Sequence, residues 1–309
     1  MSAAPGISVA PSGSTATWAE QVLAEAGIDA VPVGDGTEGL VWVGPHDAEA
    51  LAAALRAAPR TRWVQLPSAG IEVYLEHGLL DPALTWTSAK GAFAAPVGEH
   101  ALALTLALLR HLPERVRATS WGTQSGTSLH GARAVVVGAG GVALETVRLL
   151  AALGAETVVV RRRADPAPGA SRTVTHDRLR DELAEADVVV LAAALTEGTR
   201  ALLGEAEIAA LPARAVVVNV GRGGLIDTDA LVRALAEHRL AGAGLDVTDP
   251  EPLPDGHPLW TEPRAIITPH TADTWDMVRP LLGERIIANA RRFQRGEELV
   301  GLVDPVAGY

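Results

Sequence analysis

Short apolar runs alternate along the chain with stretches in which apolar residues recur at helical spacing. In the first part of the chain the apolar runs are residues 7–10, 40–43 and 63–66, and helical patterns cover 18–26 and 47–57. Strands that alternate with helices along a chain form a parallel sheet with crossover helices. Residues 1–97 are therefore predicted to form a small α/β domain.

The same alternation continues from about residue 131 to 270. Apolar runs at 134–137, 157–160, 187–192, 215–220, 241–247 and 265–267 are separated by turns and helical patterns. This order predicts an α/β fold with a second doubly wound parallel sheet, so that the chain forms two Rossmann-like or flavodoxin-like lobes. A helical pattern over 274–294 is long enough to return to the first lobe. The predicted domains are 1–97 with 281–309, and 98–280.

A long, almost wholly apolar helical pattern begins after Pro96 and Gly98 and reaches about Leu112. A helix that is apolar on all sides must be buried, and a subunit interface is one place to bury it. The polar, glycine-rich segment WGTQSGTSLHG continues it as an arm. We therefore expect residues 98–130 to form a helix and arm that serve dimerisation.

A glycine-rich turn follows the apolar run 134–137, with Gly138, Gly140 and Gly141 ahead of Val142. In a dinucleotide site the first glycine permits the tight turn and the second lets the backbone approach the pyrophosphate. The N-terminus of the following helix offers unpaired N–H groups to the phosphates. Ala143 stands where the motif commonly has a third glycine. The turn alone is a weak signal, but a strand before it and a helix after it are the context that the motif requires.

The helix after this turn has one apolar face, and Gly154 ends it before the next strand. The members of that face are Val142, Val147, Leu150 and Leu153. At the end of the following strand an NAD site carries an Asp or Glu that binds the ribose 2′-hydroxyl.

This chain has Arg161, Arg162 and Arg163 at that position. Guanidinium groups bind a 2′-phosphate through charge-assisted hydrogen bonds, whereas a carboxylate would repel it. The pattern favours NADP(H) as the preferred cofactor and leaves NAD(H) possible. A solvated basic loop is the alternative, above all for Arg163.

Three polar residues recur where consecutive apolar runs end: Arg222, Glu251 and His270. The carboxyl ends of parallel strands form the ligand-binding edge of a doubly wound sheet. An arginine there can clamp a carboxylate and polarise an adjacent carbonyl. A carboxylate beside an imidazole orients the ring and favours its protonated form, which is a proton donor for a developing alkoxide. For each residue alone, an exposed loop position is the alternative.

Ser68, Ala69 and Gly70 form a small-residue loop after the run 63–66, in the segment LPSAGIE. A loop at the carboxyl end of a strand is a place for a ligand in an open α/β sheet. An ordinary turn explains the same residues equally well.

Composition narrows the classes of partner. The chain of 309 residues is 48% hydrophobic, which is sufficient for two cores, and its net charge of -11 argues against nucleic acid. It has no cysteine, so disulfides and thiolate chemistry are excluded, and the remaining histidines lack the spacing of metal ligands. The N-terminus lacks the pattern of a secretory leader, and the apolar runs are too short for a membrane span. We expect a cytoplasmic protein with neither a metal nor a membrane partner.

The sequence resembles the D-isomer-specific 2-hydroxyacid dehydrogenase family, and especially its glyoxylate and hydroxypyruvate reductases. The segments that carry the resemblance run through most of the chain: LPSAGIE, VGEHALALTLALLR, VVVGAGGVA, LTEGTRALLGEAEIAALP, VVNVGRGGLID, GLDVTDPEPLP, ITPHTADT and VDPVAGY. The resemblance implies a bilobal dimer with the active site in the cleft between the lobes.

The resemblance also implies roles for individual residues. Arg222 would bind the substrate carboxylate and keto oxygen, His270 would donate and accept the proton, and Glu251 would be its partner. Asp246 would lie beside the nicotinamide carboxamide. The backbone amides of Ala69 and Gly70 would contact the substrate carboxylate.

Together these expectations describe an NADPH-preferring reductase of small 2-keto acids, glyoxylate or hydroxypyruvate first, that produces the D-2-hydroxy acid. Two alternatives stay open. One is an NAD-linked dehydrogenase of another 2-hydroxy acid. The other is a dinucleotide-sensing binding protein of the same fold, because that fold also serves transcriptional corepressors.

Overall fold

The computed structural model describes residues 4–44 and 46–305. The chain divides into two compact units, Met1–Phe93 with Trp275–Tyr309, and Ala94–Thr274. The expected boundaries, after residues 97 and 280, lie a few residues further along the chain. The difference arises because one long helix begins at Ala94 and another at Trp275, and each helix belongs as a whole to one unit.

The first unit contains a four-stranded parallel sheet in the order β1-β2-β3-β4. Its strands are Ile7–Ala10 (β1), Gly39–Trp42 (β2), Trp63–Gln65 (β3) and Thr85–Thr87 (β4). Its helices are Ser14–Glu25 (α1), Ala48–Ala57 (α2), Glu72–Glu76 (α3) and Trp275–Arg295 (α10). The first three strands confirm the predicted parallel sheet. The fourth was not predicted, because two threonines around a single tryptophan give no apolar run.

A buried amide explains how the last helix is held in the first unit. Asn289 of α10 donates through Nδ2 to Gln65 Oε1 at 2.7 Å and to the Val300 carbonyl at 2.8 Å. Its Oδ1 accepts from the Val300 amide at 2.8 Å. The segment that follows pairs with β4 through an isolated bridge between Thr87 and Leu302. The last four residues of the VDPVAGY segment, 306–309, lie outside the described residues.

The second unit is built on a seven-stranded sheet in the order β11-β10-β9-β8-β5-β6-β7, and its strand pairs are parallel. The strands are Arg133–Val137 (β5), Glu156–Arg161 (β6), Arg172–Thr175 (β7), Val188–Leu191 (β8), Val216–Asn219 (β9), Gly242–Leu245 (β10) and Ala265–Ile267 (β11). The helices are Ala94–Leu109 (α4), Leu112–Arg117 (α5), Gly141–Ala152 (α6), Leu179–Leu183 (α7), Glu205–Ala210 (α8) and Thr228–Ala236 (α9). The doubly wound sheet is confirmed.

Strand β7, an edge strand that pairs with β6, was not predicted because its polar sequence gives no apolar run. Two local predictions need correction. The long apolar helix ends at Leu109 rather than Leu112, because His111 adopts a left-handed conformation with φ 52°. Leu153 was assigned to the buried face of α6, but it follows the last helical residue and is 44% exposed.

Helix α4 packs within its own unit, against α6 and the strands β9 and β10. Its buried face includes Val97, Ala101, Leu104 and Leu108. Gly98 permits the close approach to α6, because a Cβ there would lie 2.7 Å from Glu145 Cγ. Within the described ranges, no helix has both the length and the apolar composition that crossing a bilayer requires.

Candidate functional site

The glycine turn joins β5 to α6 at the carboxyl edge of the second sheet. Gly138 has φ 118°, and a Cβ on it would lie 2.5 Å from the Ala192 carbonyl oxygen, so only glycine fits. Gly140 is the N-cap residue of α6, and the position of its missing Cβ opens into free space. No side chain caps this helix terminus. Gly141 and Val142 therefore begin a helix whose first N–H groups are available to a ligand.

A run of arginines follows the neighbouring strand. Arg161 is the last residue of β6, and Arg162 and Arg163 come directly after it. Arg163 Nε lies 3.2 Å from Asp165 Oδ2, whereas Arg161 Nη1 donates to the Asp165 carbonyl at 3.4 Å. Two of these arginines, Arg162 and Arg163, are exposed, so this edge of the sheet presents positive charge to solvent.

Arg222 lies in the loop after β9, and a buried asparagine fixes that loop. Asn219 donates through Nδ2 to the Arg222 carbonyl at 2.9 Å and accepts the Gly221 amide at 3.1 Å. Gly223 makes close contact with the next loop, since a Cβ on it would lie 1.9 Å from the Thr248 carbonyl oxygen. The backbone on both sides of Arg222 is thus tightly constrained.

Glu251 and His270 meet beyond the carboxyl ends of β10 and β11. A hydrogen bond of 2.7 Å joins His270 Nδ1 to Glu251 Oε1. The side chain of His270 is 45% exposed and that of Glu251 is 42% exposed. His270 has φ 50°, a left-handed conformation that is uncommon outside glycine. Such strained residues cluster at functional sites, where surrounding contacts hold them in place.

The buried carboxylate of Asp246 supplies those contacts. It accepts the Thr268 hydroxyl at 2.6 Å and the backbone amides of Thr271 and Ala272 at 2.9 and 3.2 Å. His100 Nε2 lies 3.4 Å from the same carboxylate and 2.9 Å from Thr268 Oγ1. Burial alone would raise the pKa of Asp246, but the hydrogen bonds from His100, Thr268 and the two amides outweigh it and lower the pKa to about 2. Asp246 is therefore a permanent anion that holds the segment around His270.

Asp273 connects the separate parts of the site electrostatically. Burial raises the pKa of this carboxyl group, and the charge of Asp246 acts in the same direction. The positive charges of His270 and Arg222 act against that rise. The charges of Arg222 and His270, which lie on different loops, thus both act on the pKa of one acid.

Sequence reasoning missed Asp273, His100 and Asn219. Asp273 is three residues beyond His270 in the segment TPHTAD, so its proximity to the candidate proton donor was a usable signal. Nothing in the sequence pattern connects His100 with Asp246, because they are 146 residues apart and meet only through packing. Asn219 ends an apolar strand, and its burial becomes evident only in the folded loop.

The loop containing Ala69 and Gly70 belongs to the first unit and follows β3. Ser68 Oγ donates to the Gly70 carbonyl at 2.8 Å and lies 2.7 Å from His46 Nε2. The amides of Ala69 and Gly70 form no hydrogen bond with another described residue. This loop can therefore offer two N–H groups to an anion.

The second unit of the chain matches a known protein family. Residues 102–272 match the model of the D-isomer specific 2-hydroxyacid dehydrogenase, NAD binding domain. The chain belongs to the D-isomer-specific 2-hydroxyacid dehydrogenases. This dehydrogenase is thus an NAD(P)-dependent oxidoreductase, and the matched residues cover the glycine turn, Arg222, Glu251 and His270.

Relatives and solved structures agree with the assignment. The dehydrogenase is 39% identical to an uncharacterised protein of Corynebacterium melassecola over 80% of this chain and 84% of that protein. It is 29% identical to glyoxylate/hydroxypyruvate reductase B of Pectobacterium carotovorum, over 81% of each chain. A family member from Xanthobacter autotrophicus, crystallised with NADPH and MES, has 26% identity and a TM-score of 0.85, over 99% of this chain and 100% of that one.

The Asp246 network makes a prediction for stability. Because the pKa of Asp246 is about 2 in the folded protein and about 3.9 when unfolded, Asp246→Asn should lower the free energy of unfolding at pH 7 by about 2–3 kcal/mol. A lowered pKa stabilises the folded state above the unfolded pKa, so the effect should be complete above about pH 5 and about half as large near pH 3.

Urea unfolding of the wild type and the variant between pH 3 and 7 measures this difference. Asp255→Asn is the matched control, since Asp255 is an exposed residue of a loop. Equal unfolding free energies for the wild type and Asp246→Asn at pH 7 would show that the network does not stabilise the fold.

Proposed function

We propose that this dehydrogenase reduces small 2-keto acids, glyoxylate or hydroxypyruvate first, to the D-2-hydroxy acid, with NADPH as the preferred reductant. The observation that carries the proposal is the 2.7 Å hydrogen bond between His270 Nδ1 and Glu251 Oε1 at the carboxyl edge of the sheet. The 29% identity to a glyoxylate/hydroxypyruvate reductase supports the substrate class.

In this proposal His270 is the proton donor. Because Glu251 holds Nδ1, the other ring nitrogen, Nε2, donates its proton to the keto oxygen, and it accepts that proton in the oxidative direction. The carboxylate of Glu251 stabilises the protonated ring and fixes its orientation. A nicotinamide dinucleotide held by the second unit would, when bound, supply the hydride for the keto carbon.

Arg222 binds the substrate in the proposed reaction. Its guanidinium pairs with the substrate carboxylate through two parallel hydrogen bonds and polarises the keto carbonyl. Asn219 supports this role, since the buried amide holds the loop in one conformation. For the first unit taken by itself, we assign the backbone amides of Ala69 and Gly70 to binding a substrate carboxylate, because they have no hydrogen-bond acceptor among the described residues.

The residues around the glycine turn fit a nicotinamide dinucleotide. Gly138, Gly140, Gly141 and Val142 would hold the pyrophosphate, because a Cβ on Gly140 would point into open space and no side chain caps α6. Asp246 would accept a hydrogen bond from the nicotinamide carboxamide. Its Oδ2 accepts from Ala272 alone among the described residues, so that oxygen has capacity for a further donor.

The preference for NADPH rests on Arg161 and Arg162. Both are positioned at the end of β6, where an NAD site would carry an acid. A guanidinium binds the 2′-phosphate and has no comparable partner in the ribose hydroxyl of NADH. The NADPH bound in the Xanthobacter relative, which is 26% identical, supports the same assignment.

A homodimer that uses residues 98–130 is part of the proposal. Support comes from the arm after α4, where Val116 is 79% and Trp121 is 94% exposed. Large exposed apolar side chains are characteristic of association surfaces. The cytoplasmic location stays a prediction from the sequence.

Steady-state rates with NADPH and NADH, each with glyoxylate, hydroxypyruvate, pyruvate and a bulky 2-keto acid, test the proposed function. We expect kcat/KM to be highest with NADPH and the two small acids, because Arg161 and Arg162 favour the phosphorylated cofactor. Turnover with NADH alone would contradict the cofactor assignment. Cofactor binding without turnover of any keto acid would point to a dinucleotide sensor.

Substitutions of His270 and Arg222 distinguish the role of the proton donor from that of the residue that binds the substrate carboxylate. His270→Ala should lower kcat by about 10²–10⁴-fold with little change in KM, because general acid catalysis acts in the transition state. Arg222→Ala should lower kcat and raise KM, since the guanidinium binds both the substrate and the developing charge. Steady-state kinetics measures both effects. His77→Ala, at an exposed position of the first unit, is the control, and near-normal turnover in His270→Ala would rule out the mechanism.

Arg161→Ala tests the origin of the cofactor preference. Loss of a charge-assisted hydrogen bond should weaken NADPH binding by about tenfold or more and leave NADH binding within about twofold. Fluorescence titration gives both dissociation constants. Arg163→Ala is the matched control, because that guanidinium is already paired with Asp165 at 3.2 Å. If Arg161→Ala weakens NADPH and NADH equally, the arginines form a solvated loop without a role in selectivity.

A further inference from the structure

We infer that His176 is a further specificity-determining residue, and that it binds the 2′-phosphate of NADPH together with Arg161 and Arg162. The inference rests on the proposed NADPH preference and extends it to the next strand of the sheet. His176 lies outside the sequence segments that carry the family resemblance.

The register of two parallel strands brings these residues together. β6 and β7 pair so that Arg161 and Thr175 are direct neighbours across the ladder, and each is the last residue of its strand. Arg162 directly follows β6 and His176 directly follows β7, so the two residues lie next to each other at the same edge of the sheet. His176 opens a short 3-10 helical turn that packs against β6. The pairing of an edge strand thus adds an imidazole to the arginine cluster.

The positive charge of Arg162 disfavours the protonated form of His176 unless an anion is bound at this edge. His176 is partly buried, and burial lowers the pKa of its imidazole. The positive charge of Arg162 lowers it further, whereas Asp177 opposes that shift. A phosphate dianion placed between Arg162 and His176 would reverse the repulsion, because both cations would then face a negative charge. The protonated ring would donate a charge-assisted hydrogen bond to a phosphate oxygen.

Asp177, directly after His176, stays ionised and offsets part of the positive charge, whereas the acids of the next helix are paired with other cations. The Thr175 hydroxyl donates to Asp177 and holds the pKa of that carboxyl below its usual value. The elements packed against the turn are β6, which ends at Arg161, and α7. Charged side chains of α7 are paired elsewhere: Arg180 with Glu207, Asp181 with Arg178, and Glu182 with Arg133 and Arg172.

Binding of NADPH and NADH to the wild type and to His176→Asn, at pH 6.0 and pH 8.5, tests the inference. Asparagine keeps a hydrogen-bond donor of similar size but cannot carry a charge. At pH 6.0 the substitution should weaken NADPH binding by about tenfold, the effect of one charge-assisted hydrogen bond, and leave NADH binding within about twofold. At pH 8.5, where an imidazole is largely neutral, the two proteins should differ by less.

NADH binding also reports whether the variant is folded, and His77→Asn controls for the loss of an exposed histidine. If the wild type prefers NADPH and Arg161→Ala removes that preference, but His176→Asn binds NADPH normally at both pH values, the inference is overturned and the proposed function stands. If His176→Asn weakens NADPH and NADH alike, its role is structural and the inference is again overturned. A wild type without preference for NADPH would overturn both.

Discussion

The second unit depends on one buried anion, the carboxylate of Asp246. Desolvation makes such a charge costly, and it is stable here because hydroxyl, imidazole and backbone donors converge on it. Those donors belong to the segment 268–272 and to helix α4, so one carboxylate connects the end of β10 with the loop after β11. The left-handed backbone of His270 is held by this network. The position of the candidate proton donor is therefore set by an anion that is not itself the donor.

The parallel sheet supplies the second constraint. Because the carboxyl ends of parallel strands meet at one edge, loops that are distant in the chain become neighbours there. The order β11-β10-β9-β8-β5-β6-β7 puts the loops with His270, Glu251 and Arg222 on one half of the edge and the arginine cluster on the other. The glycine turn after β5 lies between them. A dinucleotide has this same linear arrangement, with a reactive ring at one end and an adenosine at the other.

Sequence reasoning recovered the features that have a periodic or positional signal. The glycine turn was predictable because strand, turn and helix follow in a fixed order. Glu251 and His270, which form a hydrogen bond, were predictable as neighbours because each follows one of the consecutive strands β10 and β11, and Arg222 follows the adjacent strand β9. Strands β4 and β7 were missed because their threonines and arginine give no apolar alternation. The contact of His100 with Asp246 was not predictable, since packing of α4 against the sheet creates it.

Charge distribution reconciles an acidic protein with anionic ligands. The chain carries a net charge of -11, which alone would repel both a dinucleotide and a keto acid. In the proposed site the repulsion is offset locally, because arginines and histidines follow the strand ends beside the acids there, and several other acids lie in ion pairs with arginines. Screening weakens interactions beyond about 8 Å at physiological ionic strength, so a nearby guanidinium outweighs distant carboxylates. In the proposed function, the cations at the carboxyl edge, rather than the net charge, therefore determine which anions this dehydrogenase binds.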